Sequence, residues 1–158
     1  MNEHYRNINI LNGLNLEAPI YKFFPLKYIS TLLQGNLYVG KVAAWEDVYE
    51  NFLFKQNFSL VDGTPVKADN LIKCNFGQSW TFSDETDAMW RIYSDIHHGS
   101  ESDPLGNIAI RIKTTARKLF NAVYIDDKCM ASTYIGAVTY LSQIELNDWL
   151  SKLYLETS

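Results

Sequence analysis

The sequence contains little cysteine and no long apolar run, and both absences narrow the class of protein. Only two of the 158 residues are cysteines, Cys74 and Cys129, and their spacing suits neither a zinc knuckle nor a redox pair. We expect both to be reduced and to fill small core sites of a cytoplasmic protein. The N-terminus lacks the basic start and apolar stretch of a signal peptide, and no window approaches the roughly 20 apolar residues of a membrane span.

The chain also lacks an excess of positive charge. Its 14 basic and 18 acidic residues give a net charge of -4, which argues against general attraction to nucleic acid or to an anionic membrane. Apolar residues make up 47% of the sequence, which excludes a disordered or collagen-like chain. The 14% aromatic content suits a well-filled core or, alternatively, a pocket for a planar ligand.

Most common catalytic signatures are missing as well. The sequence has no phosphate-cradling glycine loop, no nucleophile elbow and no HExxH motif. The neighbouring histidines His97 and His98 fall in a predicted loop, where two such side chains rarely point at one ion, so we predict no metal site. The predicted strand at residues 108–112 carries no carboxylate, which argues against a metal-dependent nuclease.

Apolar periodicity predicts a single α/β or α+β domain spanning residues 1–158, with a central mixed sheet flanked by helices. The predicted strands cover residues 26–29, 38–42, 78–82, 108–112 and 134–140. Five helices are predicted. The first follows a cap at Ser30, and the second covers residues 45–58. The third begins at Ser83 or Asp84, the fourth at Thr114 or Thr115, and the fifth at the capping box Ser142-Gln143-Ile144-Glu145. Residues 59–70 are predicted to form a loop.

Two clusters place cations and hydroxyl groups where a strand meets a helix. The first contains Lys27, Tyr28 and Ser30, near backbone donors that can face an anionic ligand. In the second, Arg111 and Lys113 share one strand face, and the two threonines after Lys113 open a helix. A pyrophosphate suits such a place. The alternative is that the threonines only cap the helix and that the cations are solvated.

One segment carries a resemblance to a known family. Residues 80–94 contain a tryptophan-bearing strand, an acidic helix start and the helix motif Met89-Trp90-Arg91-Ile92-Tyr93. This order resembles the signature of the bacterial domain-of-unknown-function family 2971. The similarity extends over about residues 26–140 and includes Gly35-Asn36-Leu37-Tyr38, Lys118-Leu119-Phe120 and the strand that contains Tyr134-Ile135-Gly136.

A more distant resemblance bears on mechanism. The order of an opening strand with a polar residue, a later strand with hydroxyl residues and a terminal acidic strand is similar to the ADP-ribosyltransferase fold. The resemblance implies NAD as cofactor, with Lys27, Tyr28 and Ser30 at its ribose and phosphates. It also implies that Thr114 and Thr115, beside Arg111 and Lys113, shape the nicotinamide pocket.

The chain departs from that family at the catalytic glutamate. The family's acidic segment is expected after the strand at residues 134–140, and only Gln143-Ile144-Glu145 has the matching Gln-x-Glu spacing. Glu145 is therefore either a catalytic residue or the helix cap.

Two functions follow from these resemblances. The favoured one is an NAD-binding, ADP-ribosyltransferase-like domain of a bacterial or phage conflict system that acts in defence or as a toxin, with weak or lost activity. Its partner would be a small-molecule dinucleotide. The alternative is a non-catalytic protein-binding or inhibitor domain that keeps the fold.

Overall fold

The computed structural model describes residues 8–45, 58–59, 62–66, 73–94, 108–124 and 132–156. The strands are β1 (Ile10–Leu11), β2 (Pro19–Pro25), β3 (Gly40–Lys41), β4 (Phe58–Ser59), β5 (Pro65–Val66), β6 (Phe76–Gly77), β7 (Ala109–Thr115) and β8 (Ile135–Gly136). The α-helices are α1 (Ile29–Leu33), α2 (Asp87–Tyr93), α3 (Ala116–Val123) and α4 (Gln143–Glu156), and short 3-10 turns cover Leu26–Tyr28 and Val42–Ala44. Helices and small sheets are mixed, as in the α+β class. None of the described helices is long and apolar enough to cross a membrane.

The chain divides into two compact units, which are described separately. The first comprises Met1–Leu37 and Ser79–Val138, and the second comprises Tyr38–Gln78 and Thr139–Ser158. The described strands pair two by two, as β1 with β8, β2 with β7, β3 with β6 and β4 with β5.

The antiparallel pair of β2 and β7 is the largest element of the first unit. Both strands are seven residues long and rich in the β-branched and aromatic residues that favour strands. Leu26 N donates to Ile108 O at 2.7 Å, and Ala116 N donates to Ala18 O at 3.2 Å. Since every second pair of an antiparallel ladder is hydrogen-bonded, the even-numbered residues of β2 bond to the even-numbered residues of β7. The backbone groups of Pro19 and Pro25 therefore lie on the side of β2 away from β7, where a missing N–H removes no bond between the strands.

Side chains that pair across the two strands share a face. One face carries Tyr21 opposite Lys113 and Phe23 opposite Arg111. Tyr21 also exchanges both of its backbone hydrogen bonds with Thr81, at 2.8 and 2.9 Å, on the other edge of β2. β2 is thus the central strand among the described residues, with β7 on one side and Thr81 on the other.

Helix α2 packs on β2 through an aromatic contact. The rings of Phe23 and Trp90 meet edge to face, with centroids 4.8 Å apart. Thr86 caps the start of the helix, and its side-chain oxygen accepts a hydrogen bond from Met89 N at 3.2 Å. The expectation that α2 packs on the sheet through Trp90 is confirmed, although Met89 and Trp90 stay half-buried.

The short parallel pair of β1 and β8 belongs to the same unit. Asn9 Nδ2 donates to Thr133 O at 2.7 Å, and Asn12 Nδ2 donates to Ala137 O at 2.8 Å, so one amide flanks each end of the pair. A side chain at Gly136 would come within 2.9 Å of Leu11 Cβ, which explains the small residue at this position.

The second unit contains two small antiparallel pairs and helix α4. In the pair of β3 and β6, Gly77 lies beside the Trp45 ring, and a Cβ there would approach the ring to 2.7 Å. Strands β4 and β5 form the second pair, and just before β5 the Asp62 carboxylate accepts a hydrogen bond from Thr64 N at 2.9 Å.

Several sequence-based expectations need correction. Residues 26–29 form a 3-10 turn and the start of α1 instead of a strand, because the apolar run that pairs with β7 ends at Pro25. Ser30 lies inside α1 and does not cap it. The strand expected at residues 134–140 is limited to Ile135–Gly136, since its partner β1 has only two residues. Around Phe82 only Thr81 forms a bridge, so the central sheet is smaller than expected.

Other expectations are confirmed or lie outside the described residues. Strand β7, helices α3 and α4, and the Ser142 capping box lie where the sequence predicted them, and helix α2 is present but begins later than predicted. The start of α2 is capped by Thr86 instead of Ser83 or Asp84. Within the loop predicted at residues 59–70, the described residues include Ser59 at the end of β4 and Pro65–Val66 in β5. Most of the helix predicted at residues 45–58 lies outside the described residues.

We expect Phe23→Ala to lower the free energy of unfolding by about 3 to 5 kcal/mol, because removal of a fully buried ring leaves a cavity beside Trp90. Urea denaturation followed by circular dichroism measures this loss. Ile92→Ala, at an exposed position of α2, is the matched control and should change stability by less than about 0.5 kcal/mol. Equal losses for the two variants would contradict the packing of Phe23.

We also expect Lys22→Met to stabilise the protein at neutral pH. Burial lowers the pKa of Lys22, so the folded state binds fewer protons than the unfolded state between the lowered and the ordinary value. The free-energy cost of burying the charged ammonium group is present in full at neutral pH. It decreases as the pH rises from the lowered pKa toward the ordinary lysine pKa. The variant loses the bond from Lys22 Nζ to Ser79 O, at 3.0 Å, but Ser79 is exposed, so water can satisfy its carbonyl oxygen.

The measurement is the melting temperature of Lys22→Met and wild type from pH 7 upward. The advantage of the variant should shrink as the pH approaches the ordinary lysine pKa. Lys118→Met, at an exposed lysine of α3, serves as the control and should show no such trend. A constant or growing advantage of Lys22→Met would refute the assignment.

Candidate functional site

The strongest candidate site is a cationic cluster on one face of β7. Arg111 and Lys113 are both exposed, whereas Tyr21 between them is 6% exposed. The guanidinium carbon of Arg111 lies 5.3 Å from the Tyr21 ring centroid, and Lys113 Nζ lies 5.7 Å from it. These are cation–π distances, and the cross-strand pairing of Tyr21 with Lys113 produces them.

The Arg111 side chain has a second fixed contact. Its Nη1 donates to the carbonyl oxygen of Asp84, three residues before α2 begins. A guanidinium has five N–H donors, so one bond to a carbonyl orients the group and leaves it able to bind an anion. The Tyr21 ring and the Asp84 carbonyl together hold Arg111 beside Lys113.

The backbone N–H groups at the start of α3 already have hydrogen-bond partners within the protein. Thr115 caps the helix by accepting a hydrogen bond from Lys118 N at 3.3 Å. The next amides also have carbonyl partners, because Ala116 N donates to Ala18 O at 3.2 Å and Arg117 N donates to Leu16 O at 2.8 Å. The pyrophosphate expected at Thr114 and Thr115 would have to displace these bonds, so the capping alternative describes this turn better.

The first predicted cluster lies at the other end of the strand pair. Lys27 Nζ stacks over the Tyr28 ring at 5.5 Å, and Tyr28 is 54% exposed. Both residues follow the end of β2, beside Ile108, whereas Thr114 and Thr115 pair with the start of β2. The ends of the seven-residue ladder are about 20 Å apart at roughly 3.4 Å per residue. The structure therefore places Lys27 and Tyr28 at the opposite end of the ladder from Thr114 and Thr115, and Arg111 lies between these two ends along β7.

Glu145 forms the capping box that its spacing predicted. Its Oε2 accepts a hydrogen bond from Ser142 N at 2.7 Å, and Ser142 Oγ accepts one from Glu145 N at 3.3 Å. The hydrogen bonds from the Ser142 backbone and side chain lower the pKa of the Glu145 carboxyl. A catalytic role for Glu145 stays a prediction, and in this arrangement one carboxylate oxygen is already engaged.

The remaining candidate residues do not add a second site. Cys74 is exposed, so the expectation that it fills the core is wrong. His97 and His98, and also Cys129, lie outside the described residues. Within the described residues, no three His, Cys, Asp or Glu side chains cluster closely enough to hold a metal ion.

Sequence reasoning missed Tyr21, which completes the cationic cluster. Its segment, Ile20-Tyr21-Lys22-Phe23-Phe24, is bounded by prolines and has the composition of a strand, which is the signal that could have found it. The pairing of Tyr21 with Lys113 is set by the register of β2 and β7 and has no local signature.

Comparisons of the chain with protein-family models, with curated proteins and with solved structures found no match. The site must therefore be interpreted from its own geometry.

We expect Ser142→Ala to lower the free energy of unfolding of the unit that contains α4 by about 1 kcal/mol, because the helix loses its N-cap. The lowered pKa means that the Glu145 carboxylate stabilises the fold above the ordinary glutamate pKa, and this stabilisation disappears as the pH falls through the lowered value. Chemical denaturation between pH 7 and pH 3 measures both effects. Wild type and variant should both lose stability in acid, because alanine at position 142 keeps the backbone N–H that donates to Glu145.

Ser151→Ala is the matched control for this prediction. Ser151 lies on the same helix and its hydroxyl donates to Asn147 O at 2.8 Å, so alanine there should be neutral or slightly stabilising. A larger loss for Ser151→Ala than for Ser142→Ala would refute the cap.

Proposed function

We propose that this chain is an ADP-ribosyltransferase-like domain that binds NAD, with Arg111 and Lys113 at the phosphates of the dinucleotide. The observation that carries the proposal is the pair of exposed cations on one face of β7, both held against Tyr21. A local cationic cluster in a chain with a net charge of -4 marks a place that favours anions.

The chemistry of the donors fits phosphate at the strand better than at the helix start. Arginine and lysine side chains bind phosphate oxygens by charge-assisted hydrogen bonds, and both groups are accessible here. The first amides of α3 already have partners and would contribute little. In this proposal the extended dinucleotide runs along β7 from Lys113 past Arg111 toward Lys27 and Tyr28, with Ser30 on the following helix.

The proposal assigns binding and not efficient catalysis to this chain. Cleavage of the nicotinamide bond needs a carboxylate fixed near the ribose, and loss of one such electrostatic group costs about two to three powers of ten in rate. Glu145 has the spacing of such a residue but is engaged with Ser142. Family 2971 and a role in bacterial or phage conflict are supported by the sequence resemblance alone.

A second candidate is a non-catalytic protein-binding or inhibitor domain. The observation that favours it is the exposure of aromatic rings in the second unit, where Tyr140 is 93% exposed and Tyr38 is 80% exposed. Such rings supply contact area to a protein partner with little loss of side-chain entropy.

Isothermal titration calorimetry with NAD at millimolar concentration tests the first candidate. We expect a heat of binding that is lost in Lys113→Glu and retained in Lys118→Glu, which makes the same charge change on helix α3. Equal weakening by both variants would indicate a general charge effect. No heat of binding in the wild type would overturn the NAD proposal and leave the second candidate.

Turnover is measured on the same preparations by release of nicotinamide. We expect little or no turnover by the wild type and the same result for Glu145→Gln. The variant should stay folded, because glutamine can replace glutamate in a capping box. Robust turnover that disappears in a folded Glu145→Gln variant would instead make Glu145 catalytic.

A further inference from the structure

The outer edge of β7 presents backbone hydrogen-bonding groups that no strand of the described residues uses. Leu26 N bonds to Ile108 O, and Ala116 N bonds to Ala18 O, so the even-numbered residues between them bond to β2. The N–H and C=O groups of Arg111 and Lys113 therefore point to the opposite edge. The only neighbour of β7 among the described strands is β2, and Thr81 bridges the far side of β2.

The charges on this edge select what can pair with it. A second copy of β7 added in antiparallel register would place arginine and lysine opposite like charges, which destabilises strand pairing. Lysine on an edge strand also discourages nonspecific association. A strand that carries carboxylates at alternate positions has the opposite effect, because its acidic side chains fall on the face of Arg111 and Lys113.

We propose that β7 accepts an extended acidic segment of a protein partner by strand addition. In an antiparallel arrangement, one acidic residue lies opposite Arg111 and another lies opposite Lys113, and each exchanges two backbone hydrogen bonds with its partner on β7. The residue between them lies beside Ile112, which is half-buried on the other face, so an apolar side chain suits that position. The motif recognised is an acidic, apolar, acidic triplet in extended conformation. This inference is independent of NAD binding.

Amide hydrogen exchange tests the edge in the free and the bound protein. In the free protein, the amides of Arg111 and Lys113 should exchange about tenfold or more faster than those of Ile110, Ile112 and Thr114, which bond to β2. An eight-residue peptide that alternates glutamate and valine should slow Arg111 and Lys113 selectively. Full protection of both amides in the free protein would overturn the open edge.

Two N-methylated peptides separate strand addition from simple charge attraction. In the proposed register, the glutamate amides point at β7 and the valine amides point away from it. N-methylation of the glutamates should therefore abolish binding, whereas N-methylation of the valines should preserve it. Equal binding of both methylated peptides would overturn the proposal and leave a purely ionic contact.

A charge-swapped pair completes the test. Lys113→Glu should weaken the glutamate peptide about tenfold and favour a peptide that carries lysine opposite position 113 and glutamate opposite Arg111, while the folded state is checked by circular dichroism. Failure of the glutamate peptide to bind the wild type would mean that the cations only protect the edge, which overturns the proposal. Competition by NAD would show that both ligands use the same cations, and retained NAD binding without peptide binding would overturn strand addition alone.

Discussion

The register between β2 and β7 is the constraint on which the candidate site depends. It places Tyr21 opposite Lys113 and Phe23 opposite Arg111, so one face carries both the aromatic contact to α2 and the cations. A shift of one residue would exchange the faces and move Lys22 to the side of Trp90. Burial of Phe23 against Trp90 favours the observed register, and that register places the cations on the same face.

The same alternation explains which edge of each strand is occupied. Pro19 and Pro25 sit at positions of β2 whose backbone groups face away from β7, so β2 keeps its bonds to β7 despite two prolines. The outward N–H and C=O groups of Tyr21 bond to Thr81. The outward backbone groups of β7 belong to Arg111 and Lys113, whose cationic side chains are exposed. The two edges of this small sheet are thus different in kind: one is paired and the other is charged.

Local signals in the sequence predicted the helices better than the sheet. The caps at Thr115 and Ser142 and the strand β7 follow from nearby residues, since capping and alternation act within a few positions. The sequence-based strand at residues 26–29 lies one step too late in the chain, because the paired strand β2 begins and ends at prolines, which usually mark the limits of a strand instead of belonging to it. The grouping of Arg111 and Lys113 was predictable from their spacing, but Tyr21 joins them through a pairing some 90 residues away in sequence, which no local pattern records.

The helix starts and the cationic strand differ in their capacity to bind an external anion. Met89 N at the start of α2, Lys118 N at the start of α3 and Glu145 N at the start of α4 each donate to a threonine or serine cap. Donors engaged in this way stabilise the fold and lose much of their capacity for an external anion, because that anion must displace an existing bond. The side chains of Arg111 and Lys113 are exposed, and aromatic and carbonyl contacts orient them without neutralising their charge. Binding of an anionic ligand by the first unit therefore follows from strand side chains more directly than from helix termini.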